Sequence, residues 1–276
     1  MKKIVLTVAF ILVAGPLYAD ELPLWEAGFG FTGLSLPDYR GSSQQRFFVL
    51  PFPYLVYRGE IFRMDRKGLY GLLFQSDRVR LNISADGGLP VKSGSNSART
   101  GMPNLDPTFQ IGPALEICLF SPCDDERLIQ FRLPMRAVFA SDFTYLSSIG
   151  FVINPQLNLD FTNLGSSGKW NFGCAAGPLY ATQQYHEYYY EVDPLYAVSG
   201  VRTVYRARSG YSGSSVIASS SRRFEHIWFG AFIRYDNFAG AVFADSPLMR
   251  TKQSLFAGFG IAWVFGQSEV LVQASP

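Results

Sequence analysis

The chain has two imidazoles, His186 and His226, and three thiols, Cys118, Cys123 and Cys174. His186 lies in Tyr185-His186-Glu187-Tyr188-Tyr189-Tyr190, and His226 opens an apolar run beside Arg222, Arg223 and Glu225. A histidine near a serine or aspartate can activate a nucleophile, and such groups assemble in space rather than in sequence. Serine and aspartate are plentiful here, so a chance pairing carries little weight. The expectation is a protein without catalytic residues, cofactor or metal site. No Cys/His spacing suits a metal. Three thiols cannot all pair within one chain. Cys118 and Cys123 flank Leu119-Phe120-Ser121-Pro122 and either bridge in an oxidising compartment or stay free.

Eight charges stand out by position. Arg78, Arg80, Asp86, Glu116, Arg132, Arg136, Asp160 and Arg234 each fall on the polar side of an alternating segment. If those sides face a narrow lumen, opposite charges must pair, because unpaired charge there is costly. The expected interior is salt-bridged. The functional alternative is a polar conduit whose rings of charge select solutes.

The segments that would position these charges alternate with period two. Val79, Leu81, Ile83 and Ala85 share one face, and Arg78, Arg80, Asn82, Ser84 and Asp86 the other. Near the end, Leu255, Ala257, Phe259, Ile261, Trp263 and Phe265 alternate with small residues. Twelve strands are expected, at 24–34, 47–57, 60–65, 69–74, 78–86, 107–119, 127–139, 148–162, 170–182, 209–219, 223–236 and 254–265. The 60–74 hairpin is too short to span, and ten strands remain if it lies outside the wall. Most runs match the ~9–11 residues a tilted strand needs to cross a bilayer. Only a closed barrel satisfies every backbone polar group of a sheet in lipid. The expected fold is therefore all-β, an antiparallel transmembrane β-barrel.

The connections sort by length. Long ones fall at 35–46, 87–106, 183–208 and 237–253, and short ones at 58–59, 75–77, 120–126, 163–169 and 220–222. This predicts long extracellular loops and short periplasmic turns. Trp170, Trp228, Trp263, Tyr54, Tyr57 and Tyr235 sit near strand ends, as interfacial belts would, although Trp228 also suits the interior.

Composition agrees. Aromatic residues make up 16% and charged residues only 17%, with 26 glycines. Such a mix suits a surface facing lipid better than one facing water. Lys2 and Lys3, the apolar run 4–14, and Leu17-Tyr18-Ala19 have the layout of a secretory signal peptide cleaved after Ala19. The expected division is a signal peptide at 1–19, a barrel at 20–265 and a C-terminal tail at 266–276. Removing Lys2 and Lys3 lowers the basic count from 24 to 22, equal to the 22 acidic residues. A neutral mature chain offers no excess positive charge for nucleic acid.

Several stretches then carry a resemblance. They are Leu34-Ser35-Leu36-Pro37-Asp38-Tyr39-Arg40-Gly41-Ser42, Leu50-Pro51-Phe52-Pro53-Tyr54, Ser76-Asp77-Arg78-Val79-Arg80-Leu81, Gly101-Met102-Pro103-Asn104-Leu105-Asp106-Pro107, Arg234-Tyr235-Asp236-Asn237 and Asp245-Ser246-Pro247-Leu248. In this order they resemble the MipA/OmpV family of Gram-negative outer-membrane proteins. The resemblance implies an outer-membrane barrel surrounded by lipid and lipopolysaccharide. It further implies a non-enzymatic scaffold for a murein lytic transglycosylase and a bifunctional penicillin-binding protein, with porin-like and adhesive roles as alternatives. The motif prolines and glycines also have plain structural readings as strand breaks and turns.

Overall fold

The computed structural model describes residues 21–59, 62–65, 68–123, 125–142, 144–165 and 170–273. The signal-like segment lies outside them. In chain order the elements are β1 (Glu21–Pro23), β2 (Trp25–Pro37), β3 (Gln45–Arg58), β4 (Phe62–Asp65), β5 (Gly68–Gln75), β6 (Val79–Gly88), β7 (Thr108–Cys118), β8 (Arg127–Ser141), β9 (Leu146–Ile153), β10 (Gln156–Leu164), β11 (Trp170–Ala181), α1 (Gln183–Tyr190), β12 (Gly210–Arg223), β13 (Ile227–Asn237), β14 (Gln253–Gln267) and β15 (Leu271–Gln273).

Each wall strand pairs antiparallel with its sequence neighbours, and β14 pairs with β2 to close the ring. β9 and β10 share one position, because both lie between β8 and β11. Among the described residues the wall thus has twelve strand positions, and the short β4–β5 hairpin occupies two of them. The expected single strand at 148–162 is broken at Asn154-Pro155. Pro155 has no N–H to donate to a ladder, and the interruption lets the wall bend there. A second difference concerns the turn expected at 220–222. Strand β12 instead continues to Arg223, which pairs with Trp228, and the turn falls at 224–226. His226 lies in that turn rather than opening the next strand.

Side chains alternate as the lipid-facing reading requires. Phe29, Phe31, Phe259, Ile261, Trp263 and Phe265 are exposed outward, whereas Gly260, Ala262 and Val264 face in. Trp263 and Tyr57 point outward near the ends, but Tyr54 and Trp228 face inward and pack with ring centroids 5.6 Å apart. Glycine makes room for them: a Cβ at Gly230 would overlap the Trp228 ring.

The two ends of the barrel differ. Segments 38–44, 89–107, 182–209 and 238–252 gather at one end and short turns at the other. At the short-turn end β1 pairs with β15, joining the segment before β2 to the segment after β14. There Glu26 holds both Arg58 (2.6 Å) and Arg223 (3.0 Å). Cys118 and Cys123 form a disulfide beside the 119–126 turn, and Cys174 is free.

Candidate functional site

The long loops do not splay into solvent. They fold over the barrel mouth around a core of Tyr39, Val91, Leu105, Tyr190, Val192, Phe238, Phe243 and Leu248. Tyr190 stacks on Phe243 at 3.8 Å between centroids. Beneath this cap, Tyr185 of α1 packs onto Val138, Ala140, Val152 and Ala181 of the inner wall. The tyrosine run at 188–190 is therefore turned inward over the barrel mouth.

The motif loops meet in this cap. Pro37 ends β2, and Asp38 accepts hydrogen bonds from Arg46 (2.5 Å) and Asn96 (2.7 Å). Tyr39 Oη donates to the Leu248 carbonyl at 2.7 Å, and burial pushes its phenol up to about 12. Arg40 pairs with Asp236 at 2.7 Å, and its carbonyl accepts from Tyr190 Oη. Gly41, at φ +90°, turns its carbonyl to the backbone N–H groups of Arg250 and Thr251. Gly101 adopts φ +83°, Met102 packs on the cap core, and the Pro103 carbonyl accepts from Ser93 Oγ. Asp106 accepts from Tyr145 Oη at 2.7 Å. Ser246 Oγ donates to the Tyr190 carbonyl, Asp245 beside it is exposed, and Pro247 borders a cavity of about 210 Å³.

Two arginines that the sequence did not single out pin these loops. Arg99 donates to Ser93 Oγ and the Tyr189 carbonyl, both at 3.1 Å. Arg202 donates to the carbonyls of Ala98 (2.9 Å) and Tyr196 (2.8 Å). Both are buried against oxygen dipoles, and burial lowers the Arg99 guanidinium. Nothing in their sequence spacing marks them, because their partners are carbonyls of distant loops.

The interior charges divide. Arg132 pairs with Glu116 at 3.0 Å, Arg136 with Asp86 at 3.2 Å, and Arg234 with Asp236 at 2.7 Å. Gln130 donates to Asp160 at 3.2 Å, and Arg80 lies buried opposite Glu116. Arg78 is set apart: it is exposed in the turn before β6 and donates to the Leu119 carbonyl. Asn82, Gln130 and Asn158 keep buried side-chain oxygens without a protein partner, which calls for water among them.

The lumen has two different walls. Charged and amide side chains line it from β6 to β10. From β13 through β14 and β2 to β3, Trp228, Phe232, Leu34, Phe48, Leu50 and Phe52 line the other side, with Phe52 6.3 Å from Trp228.

His186 makes the one hydrogen-bonded Ser–His contact among the described residues. Its Nδ1 lies 2.5 Å from the Arg208 carbonyl and its Nε2 2.6 Å from Ser212 Oγ. A carbonyl only accepts, so Nδ1 carries the proton and Ser212 donates to Nε2. Both residues are fully buried, and burial pushes the imidazole down, so it stays neutral. A nucleophile with no access to substrate does structural work. Among the described residues no cluster of three His, Cys, Asp or Glu could hold a metal.

A closed antiparallel sheet with an apolar exterior and an ion-paired interior defines a transmembrane β-barrel of the outer-membrane type. Residues 29–265 match the family described as MltA-interacting protein MipA, and the chain belongs to that family. Among solved structures it is similar to a "Bacterial polysaccharide outer membrane secretin", at 10% identity and TM-score 0.39, covering 87% of this chain and 99% of that one. It is similar to the "CymD monoaromatic hydrocarbon channel" at 11% identity and TM-score 0.35, covering 88% and 89%. It is also similar to the outer membrane protein OprG from Pseudomonas aeruginosa, at 9% identity and TM-score 0.22, covering 88% and 94%. No curated protein matches it in sequence.

Proposed function

We propose that this barrel is a non-enzymatic scaffold of the Gram-negative outer membrane, exported by a signal peptide cleaved near Ala19. Its long-loop end faces outward among lipid and lipopolysaccharide. Its short-turn end faces the periplasm and docks a murein lytic transglycosylase, together with a bifunctional penicillin-binding protein. The observation that carries the reading is the match of residues 29–265 to a family described by interaction with MltA. Apolar side chains exposed at the short-turn end support it: Phe120 is 75% and Val270 60% accessible. Exposed aromatic and aliphatic anchors of this kind suit a protein interface.

Co-purification from detergent extracts tests the proposal. The intact protein should retain a lytic transglycosylase, and Phe120→Ser with Val270→Asp should cut retention about tenfold. Failure of the intact barrel to retain any murein enzyme sinks the scaffold.

A further inference from the structure

Strand β3 runs from Gln45 to Arg58, but β4 pairs with it only at Tyr57 and Arg58. Strand β6 reaches Gly88, but β5 pairs with it only from Arg80 to Ser84. Above the short hairpin, residues 47–54 and 87–88 therefore border a gap in the wall, with no strand between them among the described residues. Phe47 and Val49 on the β3 edge point outward and are each 63% exposed, so this edge lies at the depth of the apolar band.

Backbone parity shows what the edge presents. Arg58 N–H donates to the Leu24 carbonyl and Asp38 N–H to the Gln44 carbonyl, at opposite ends of the β2–β3 ladder. Even-numbered residues of β3 therefore bond to β2, and odd-numbered ones face the gap. Pro51 and Pro53 are odd. They remove two donors where no partner strand stands, which bars another chain from adding a strand. Across the gap, Cys118 N–H donates to the Arg78 carbonyl, so even-numbered residues of β6 face β7. Gly87 therefore faces the gap, and its N–H is already bonded to Asp86 Oδ1 at 2.8 Å. What remains on the β3 edge is mainly a ladder of carbonyls. Lipid cannot satisfy them, so the gap must hold water or a hydroxyl- or amine-bearing head. Behind it lies the border between the apolar wall (Phe48, Leu50, Phe52) and the charged wall (Arg80, Asn82, Ser84). The cap covers the axial route from the long-loop end.

We infer that the β3–β6 gap is a lateral portal for a membrane amphiphile, which enters from the surrounding bilayer. Its acyl chain lies along Phe48, Leu50 and Phe52, and its polar head sits at the carbonyl edge. This inference is independent of the scaffold reading.

The test uses the full-length barrel in phosphatidylcholine nanodiscs carrying hexadecylamine, whose ammonium head can donate to the carbonyls, with a diazirine near the chain end. After illumination, mass spectrometry should find label on inward Leu50 and Phe52 within about threefold of outward Phe47, and none on inward Gln110 or Gln130. Label confined to outward residues overturns the portal. Amide exchange gives a second readout. Phe47 and Val49, odd, should exchange about a hundredfold faster than Leu50 and Phe52, even. Equal protection of odd and even amides means that the edge is covered, and it also overturns the inference.

Discussion

His186 commits both ring nitrogens to fixed neighbours inside the cap, and that commitment makes the cap sensitive to acid. Its folded pKa lies below the ordinary value, so between the two values the unfolded segment binds a proton that the folded one does not. Stability then falls as pH drops below about 6.5, the ordinary histidine value, and continues to fall until the lowered folded value is passed. Amide protection over 185–192, taken relative to the intrinsic exchange rate at each pH, should fall between pH 7.5 and pH 5, and His186→Gln should flatten that dependence. An unchanged profile in the variant would place the acid sensitivity elsewhere. The same imidazole shows where residue-level reading stopped. Sequence offered His186 as one of two possible catalytic bases. It could not reveal that Ser212, twenty-six positions on, would arrive as a buried partner.

Strands carry their own information in this chain. Long period-two runs such as 254–265 were legible because only one register buries glycine and exposes the aromatics. The break at Pro155 was legible in principle from the missing donor. The misplaced turn at 220–222 has a compositional cause: Ser219-Ser220-Ser221 reads as a turn, yet Ser219 and Ser221 simply face the lumen. Helix α1 was not visible, because Tyr-rich 183–190 has weak helical propensity and is held by its packing against β9. At this scale the edge prolines make a prediction. Pro51→Val with Pro53→Val restores two N–H donors to an open edge. The variant should self-associate in detergent, read as a dimer or larger species by light scattering, whereas the parent should not.

Taken as one molecule, the barrel is capped at its long-loop end by a second hydrophobic core built from loops. That cap argues against a simple porin. The intact protein should be silent in planar bilayers, and replacing 183–208 with a short Gly-Ser link should produce steady conductance. Conductance from the intact barrel would instead favour a channel. Barrel topology came through from alternation and length, since both are local properties. The cap did not, because Arg99, Arg202 and the motif loops meet only after the wall has closed.

The clasp between β1 and β15 has a mechanical meaning. Its strands continue directly into β2 and from β14, which form the seam of the ring. A tug on the tail, as from a partner anchored in the cell wall, runs lengthwise along that seam. Its bonds are then strained together rather than unzipped singly, and this is the loading geometry in which a ribbon of sheet best resists tearing.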